Sequence, residues 1–251
     1  MNESNEIATV TTSVPADSPD LSGIWQTMNT AHWNLEGHTA KKMPVTGLIG
    51  AYGGMLAGTS VVDKGEIPYR PEALLQRDAN REDWTNLDPA ARCFIPGIPS
   101  QPYMPAPYKM LQTDTEIFIA YEWGSNSRSI FMNRSGTSAP LPSWMGYSLG
   151  RWEGDTLVVR TTNFKEETGL YCGDENLYLT ERFTPLENGN LLYDFTVKDD
   201  TARTAPWSGA YVWKRDDAKV YEYACHEGNY GMINILRGER VNELRELEAS
   251  P

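Results

Sequence analysis

The sequence predicts a mainly β protein: an antiparallel barrel of about nine strands, with long N-terminal loops and a C-terminal helix. Three observations carry that expectation. From residue 116 onward, short runs alternate apolar and polar side chains with a period of two, the pattern of strands that bury one face. Turn sequences separate the runs: Glu153-Gly154-Asp155, Glu187-Asn188-Gly189-Asn190 and Arg215-Asp216-Asp217-Ala218 each read as the bend of a hairpin. The 8 Trp, 13 Tyr and 16 Pro among 251 residues describe an aromatic-lined, loop-rich β chain. A meander this long must manage its edges, and closure removes them, so a closed barrel is expected ahead of a two-sheet sandwich.

Residues 1–20, rich in Ser, Thr, Asn, Pro and acids, read as a disordered leader, and 21–251 as one domain. Leu21–Gln26 is the first strand. Met43–Gly58, with its glycines and small apolar residues, reads as a packed loop. Pro71–Trp84 is compatible with a helix, and Pro71 suits a first helical turn. Pro96, Pro99, Pro102, Pro105 and Pro107 favour extended, polyproline-like backbone. Strands are then expected at Glu116–Trp123, Ser129–Asn133, Tyr147–Trp152, Thr156–Phe164, Leu177–Thr184, Leu191–Lys198, Ala210–Lys214 and Val220–Cys225. In Met232–Glu248, Ile233, Leu236, Leu244 and Leu247 recur at near-helical spacing. They predict an amphipathic helix packed on the barrel. Its own barrel and that of a second subunit both fit, which leaves a homodimer open.

Composition narrows the function. With 34 acids against 22 bases, net charge −12 and the bases scattered, no concentrated basic face is expected for nucleic acid or an anionic membrane. No uncharged apolar run approaches the ~18 residues of a membrane span. The N-terminus has neither a basic nor an apolar signal region, so the cytoplasm is the expected location. Cys93, Cys172 and Cys225 are too few for a disulfide scaffold and lack zinc-type spacing. The three histidines, His32, His38 and His226, form no i,i+4 pair, so no metal is expected. The chain has no glycine-rich nucleotide loop, no Gly-x-Ser-x-Gly elbow and no His-Glu-x-x-His, and no cofactor is expected either.

Within the strands, a few polar residues stand out. Alternation along Leu177–Thr184 puts Glu181 on the same face as Leu177, Leu179 and Phe183, inside the barrel. A carboxylate there is either an acid–base group of raised pKa or the partner of a buried arginine. His38 lies two residues from Glu36, a pairing suited to general acid–base work; a structural loop histidine is the other reading. Glu122 and Arg128 would form an inward ion pair if their strands neighbour each other, with Arg128 alternatively anchoring a substrate carboxylate or phenolate. His226 and Glu227 fall at a barrel mouth. Tyr121, Trp123, Trp144, Tyr147, Trp213 and Tyr223 either fill the barrel or line a cavity for a ring-bearing ligand.

Seven stretches resemble a widespread, mostly uncharacterised group of bacterial proteins: Asp20–Trp25, Trp33–His38, Gly65–Tyr69, Ala91–Gly97, Ser143–Gly146, Gly150–Val159 and Thr180–Phe183. Together they span most of residues 20–230. The resemblance implies a lipocalin-like, calycin-type barrel. Gly23-x-Trp25 is similar to the lipocalin opening, and Gly150-x-Trp152 matches it equally. The group usually carries a His-Ser-Asp/Glu-x-Leu segment before Thr-Glu-Arg-Phe, whereas Cys172–Leu177 here has no histidine, so chemistry that depends on it does not carry over. Members also commonly carry export signals. Cys93 and Cys225 fall where the group has cysteine, which implies two neighbours able to form a disulfide; two separately buried thiols is the other reading.

The expected function is a cofactor-independent acid–base enzyme, a lyase, isomerase, decarboxylase or cyclase acting on a small aromatic or terpenoid-like molecule in the barrel. Glu181 and His38 would be its acid–base pair and Arg128 its anion anchor. Tyr121, Glu122, Trp144, Tyr147, Tyr223 and His226 would contact substrate. The alternative is a non-catalytic carrier or sensor of such a molecule. A third reading, an interaction module, predicts no enclosed cavity.

Overall fold

The computed structural model describes residues 17–28, 34–42, 54–55, 57–83, 87, 94–132, 134, 141–165, 176–224 and 230–249. His32, His226, Glu227, the three cysteines, residues 1–16 of the expected leader and most of the glycine-rich 43–58 lie outside them. The strands are β1 (Gly23–Thr27), β2 (Lys41–Lys42), β3 (Gly54–Met55), β4 (Tyr108–Gln112), β5 (Glu116–Tyr121), β6 (Asn126–Met132) and β7 (Tyr147–Glu153). They continue with β8 (Thr156–Thr162), β9 (Tyr178–Pro185), β10 (Leu191–Lys198) and β11 (Trp207–Asp216). The helices are α1 (Pro71–Glu82) and α2 (Tyr230–Ala249).

Nine strands close into a barrel in the order β1-β11-β10-β9-β8-β7-β6-β5-β4, with β4 meeting β1 again, while β2 and β3 pair apart from it. This is the mainly β, lipocalin-like barrel expected from the sequence. Alternation decides which face goes inside: Leu191, Tyr193, Phe195 and Val197 of β10 are buried, and the residues between them are not. The Asn188-Gly189 turn sets the β9–β10 register, Gly189 taking φ +80° and the Leu186 amide donating to the Asn190 carbonyl at 2.9 Å.

The strands are not all antiparallel, as a simple meander requires. A ring in which every neighbour runs antiparallel closes only with an even number of strands. Nine therefore need a parallel junction, and it lies where Ile130, Phe131 and Met132 of β6 pair with Ser148, Leu149 and Gly150 of β7. Gly146 brings the chain into β7 at φ +67°; a Cβ there would stand 2.7 Å from Thr161 Cγ2 and 2.8 Å from the Thr162 carbonyl oxygen. Left-handed backbone and close contact together predict that Gly146→Ala destabilises the fold by about 2–4 kcal/mol. A urea-unfolding midpoint close to that of wild type would refute this.

Two sequence expectations are corrected here. The third hairpin does not form: Arg215 and Asp216 belong to β11, and 217–224 contain no strand. The reason is that the far edge of β11 is taken by β1, with Trp25 opposite Arg215, so no edge remains for a return strand. The amides of Tyr221 and Tyr223 donate instead to Glu122 Oε2 and Ser125 Oγ. Nor is the proline-dense stretch extended throughout. Pro96–Tyr103 is buried and compact, ending in a 3-10 turn at Gln101–Tyr103.

That stretch stoppers one end of the barrel. Gln101 Nε2 donates to the Trp123 carbonyl at 2.8 Å, Tyr211 Oη to that of Pro99 at 3.0 Å, and Thr27 Oγ1 to that of Pro102. At the other end Leu21 is buried; its amide donates to Gln112 Oε1 at 3.1 Å, and Trp25 Nε1 donates to its carbonyl at 3.0 Å.

The helices differ from each other. α1 begins at Pro71 as expected and buries no residue fully. Charge holds it: Arg81 and Arg77 reach the Glu36 carboxylate at 2.7 and 3.4 Å, and the Arg77 guanidinium lies 4.8 Å from the Tyr69 ring centre. α2 forms where periodicity placed it, but it does not pack on the barrel, since Ile233–Glu248 are all exposed.

Candidate functional site

Glu181 faces inward from β9, with Val159 of β8 and Phe195 of β10 beside it in register. A lone carboxylate among such neighbours would be costly, and it is not alone. Arg128, inward on β6, donates Nη1 to Oε1 at 2.8 Å and Nη2 to Oε2 at 2.5 Å. Tyr193 Oη adds a bond to Oε1 at 2.9 Å and Thr161 Oγ1 one to Oε2 at 3.3 Å. Two donors on each oxygen occupy the roughly four acceptor positions a carboxylate has. Glu181 is 0% exposed, so no water-sized space touches it.

Arg128 is held equally well. Nε donates to Ser148 Oγ at 2.9 Å and Nη2 to Thr161 Oγ1 at 2.8 Å, while the two hydroxyls are 3.1 Å apart. Burial favours loss of the guanidinium proton, but the Glu181 charge and its hydrogen bonds outweigh burial and raise the Arg128 pKa further. Burial, followed by the Glu181 charge, pushes the Tyr193 phenol well up, which keeps it a neutral donor. Tyr121 is buried beside Arg128, its hydroxyl outside hydrogen-bond geometry; burial raises its pKa and the guanidinium partly offsets this.

Of the residues singled out from sequence, then, Glu181, Arg128 and Tyr121 come together. The arginine that pairs with Glu181 is Arg128, and Glu122 plays no part. Ile117, Ile119 and Tyr121 face in, which leaves Phe118, Ala120 and Glu122 on the outer side, opposite to Arg128. Glu122 Oε2 accepts instead from the Tyr221 amide at 2.8 Å. His38 is not among the partners of Glu181. Nor does it pair with Glu36, whose carboxylate is clamped by Arg77 and Arg81; the His38 amide bonds the Gly58 carbonyl at 3.1 Å and Nδ1 faces the Thr39 carbonyl at 3.3 Å. Tyr147 points outward and packs on Phe131 at 5.4 Å.

Sequence reasoning missed Tyr193, Thr161 and Ser148. The signal was present for Tyr193: the Asn-Gly hairpin sets Phe195 opposite Glu181, which leaves Tyr193 inward and two residues along. It also missed four more buried rings that fill the barrel, Tyr103, Tyr108, Phe195 and Tyr211, while Phe183 lies inside as alternation placed it. Tyr108 lies 4.5 Å from Trp213, and Tyr103 lies 4.7 Å from Tyr211.

Trp144 and Tyr223 occupy a different place, the rim around the stopper. Trp144 Nε1 donates to the Ile95 carbonyl at 2.6 Å, and its ring stacks on Phe94 at 5.6 Å and 13°. Across Ile95 stands the Glu122–Ser125 turn, where a Cβ on Gly124 would come within 2.8 Å of Ile95 Cγ2. There Trp123 and Tyr223 form a second ring pair at 5.1 Å, with Ser125 Oγ bonded to both the amide and the carbonyl of Tyr223. Phe94 is 48% exposed, and Trp123, Trp144 and Tyr223 are half-buried. The rim is therefore an accessible aromatic surface held by backbone hydrogen bonds.

Among the described residues, no group of three His, Cys, Asp or Glu side chains could hold a metal ion, and no helix is long and apolar enough to cross a membrane. Neither a scan against protein-family models nor a search of curated proteins returns a match.

Proposed function

We propose that the protein is a non-catalytic carrier or sensor of a small planar aromatic molecule, bound at the stoppered mouth of the barrel. The observation that supports this is two half-exposed ring pairs on either side of Ile95, Phe94–Trp144 stacked and Trp123–Tyr223 tilted at 39°. Trp144 is fixed by its indole bond to the Ile95 carbonyl, and Trp123 and Tyr223 by bonds to their backbones, so the faces are preorganised, and offset stacking on such faces is worth about 0.5–1.5 kcal/mol beyond area burial. An acid–base enzyme built on Glu181 and His38 has less behind it. Every acceptor position of Glu181 is occupied, and His38 is not its partner. The lipocalin-like bacterial group is proposed as the family on its sequence stretches alone.

Titration with a panel of planar phenols and fused-ring aromatics, read by quenching of tryptophan emission, tests the reading. Wild type should bind at least one compound saturably and return it chemically unchanged by mass spectrometry. Trp144→Ala and Trp123→Ala should each weaken that binding about tenfold, or ~1.4 kcal/mol. Binding indifferent to both substitutions, or no saturable binding at all, would overturn the assignment. Conversion of the compound would make the protein an enzyme.

A further inference from the structure

We infer that the molecule taken at the aromatic rim is a planar lactam, a flat ring system with an N–H beside a carbonyl on one edge. The inference rests on the rim being a binding site for a flat aromatic, and it adds the chemistry that the edge of that aromatic must carry.

Two side-chain amides stand at this mouth with one buried atom each unused. Gln101, in the 3-10 turn of the stopper, is 1% exposed. Its Nε2 donates to the Trp123 carbonyl at 2.8 Å. A carbonyl only accepts, so the amide can face it one way round, and Oε1 is the atom left over. Oε1 is buried and accepts no hydrogen bond. Asn126 opens β6 directly opposite Tyr121, at the foot of the turn that carries Trp123. Its Nδ2 is also buried and donates to nothing. Among the described residues, no other side-chain amide has a buried atom without a partner. Ser100 Oγ, in the residue before Gln101, is a third unpartnered buried atom of the stopper.

A buried donor or acceptor left unpaired costs more than a typical hydrogen bond returns, so most are paired. The needs of these two are opposite: Gln101 Oε1 requires a donor and Asn126 Nδ2 an acceptor. They would satisfy each other if they touched, and they do not, which leaves the pairing to a third group. A lactam presents its N–H and carbonyl side by side in the ring plane, and both of its faces stay free to stack on the rim. The rim rings stand at the same place. Trp123, whose carbonyl holds Gln101, belongs to one ring pair, and Ile95 lies between the pairs with Cγ2 against Gly124, the residue after Trp123. A ring seated between the pairs therefore has its edge at this turn. Both amide atoms are closed to solvent, so seating that edge moves the Ile95 side chain aside.

Equilibrium dialysis of the full chain with four compounds tests this: 2-quinolone, 4-methyl-2-quinolone, 1-methyl-2-quinolone and 2-naphthol. The first two keep the lactam edge. The third loses the N–H, with the second as control for the bulk of a methyl group, and the fourth has a single hydroxyl in place of the pair. Wild type should bind the first two at least tenfold more tightly than the last two, since a site that hydrogen-bonds an N–H rejects an analogue without it. Gln101→Met and Asn126→Leu should each reduce that preference severalfold while binding of 2-naphthol changes little, and Ile95→Ala should bind 2-quinolone more tightly. Should a variant fail to fold, the wild-type comparison decides alone. Equal binding of all four compounds, weakened by Trp144→Ala, would overturn the lactam edge and leave the aromatic site standing. A preference that survives Gln101→Met would also overturn it. Retention of none of the four, nor of any other flat aromatic, would overturn both.

Discussion

Arg128→Met is expected to lower stability by about 3–5 kcal/mol, the usual result of stranding one member of a buried ion pair. The Glu181 carboxylate would keep its bonds from Tyr193 and Thr161 but lose both guanidinium bonds, with no water-sized space beside it to compensate. Glu181→Leu should be similarly damaging, since it strands Arg128. The double substitution Arg128→Met/Glu181→Leu should recover most of the loss, because apolar side chains of similar size remove the desolvation cost of both charges. Urea midpoints for the four proteins settle the matter. Single variants within 1 kcal/mol of wild type, or a double variant as unstable as the sum of the singles, would show that the pair does not hold the barrel together. The result also governs how activity data on Glu181 are read, since lost function in an unfolded variant says nothing about catalysis.

Trp213→Ala should cost about 3–5 kcal/mol for a different reason. Trp213 is fully buried and is the ring on which three others converge: Tyr108 at 4.5 Å, Tyr193 at 5.1 Å and Phe183 at 5.2 Å. These come from β4, β10 and β9, so one side chain ties together strands far apart in sequence. Removing it leaves a cavity among stiff aromatic rings that have little freedom to close it. Trp213→Phe should cost distinctly less. A Trp213→Ala midpoint within 1 kcal/mol of wild type would mean that the centre of the barrel repacks freely.

The barrel was legible in the sequence where structure is local. Alternation located β5 to β10, the Asn-Gly turn set a register, and Pro71 marked the start of α1. What escaped depended on contacts distant in sequence. β4 was hidden behind the prolines, because its strand character comes from pairing with β1 and β5 rather than from its own pattern. The strand expected at Val220–Cys225 rested on the turn-like Arg215–Ala218, and over 220–224 it has no vacant edge to join. At the site, periodicity placed Glu181 inside, yet it could not choose between Glu122 and Glu181 as the partner of Arg128. That choice is made by which carboxylate lies on the inner face of its strand. The aromatic rim needed Ile95 to be brought between two turns, which no local pattern announces.

The parallel junction has a consequence for the order in which the barrel assembles. β4 to β6 and β7 to β11 are each a run of antiparallel strands paired with their neighbours in sequence, whose contacts are more local than those of β1 and can form earlier. Between the runs, β6 and β7 share three paired residues, against eight for β9 and β10. β1 pairs with β4 of one run and β11 of the other, both distant in sequence, so both of its edges are satisfied only once both runs exist. The strand that comes first in the barrel's sequence order is thus the last to gain both of its neighbours. A barrel that looks uniform when finished is two local sheets joined at a narrow seam and buckled by the N-terminal strand.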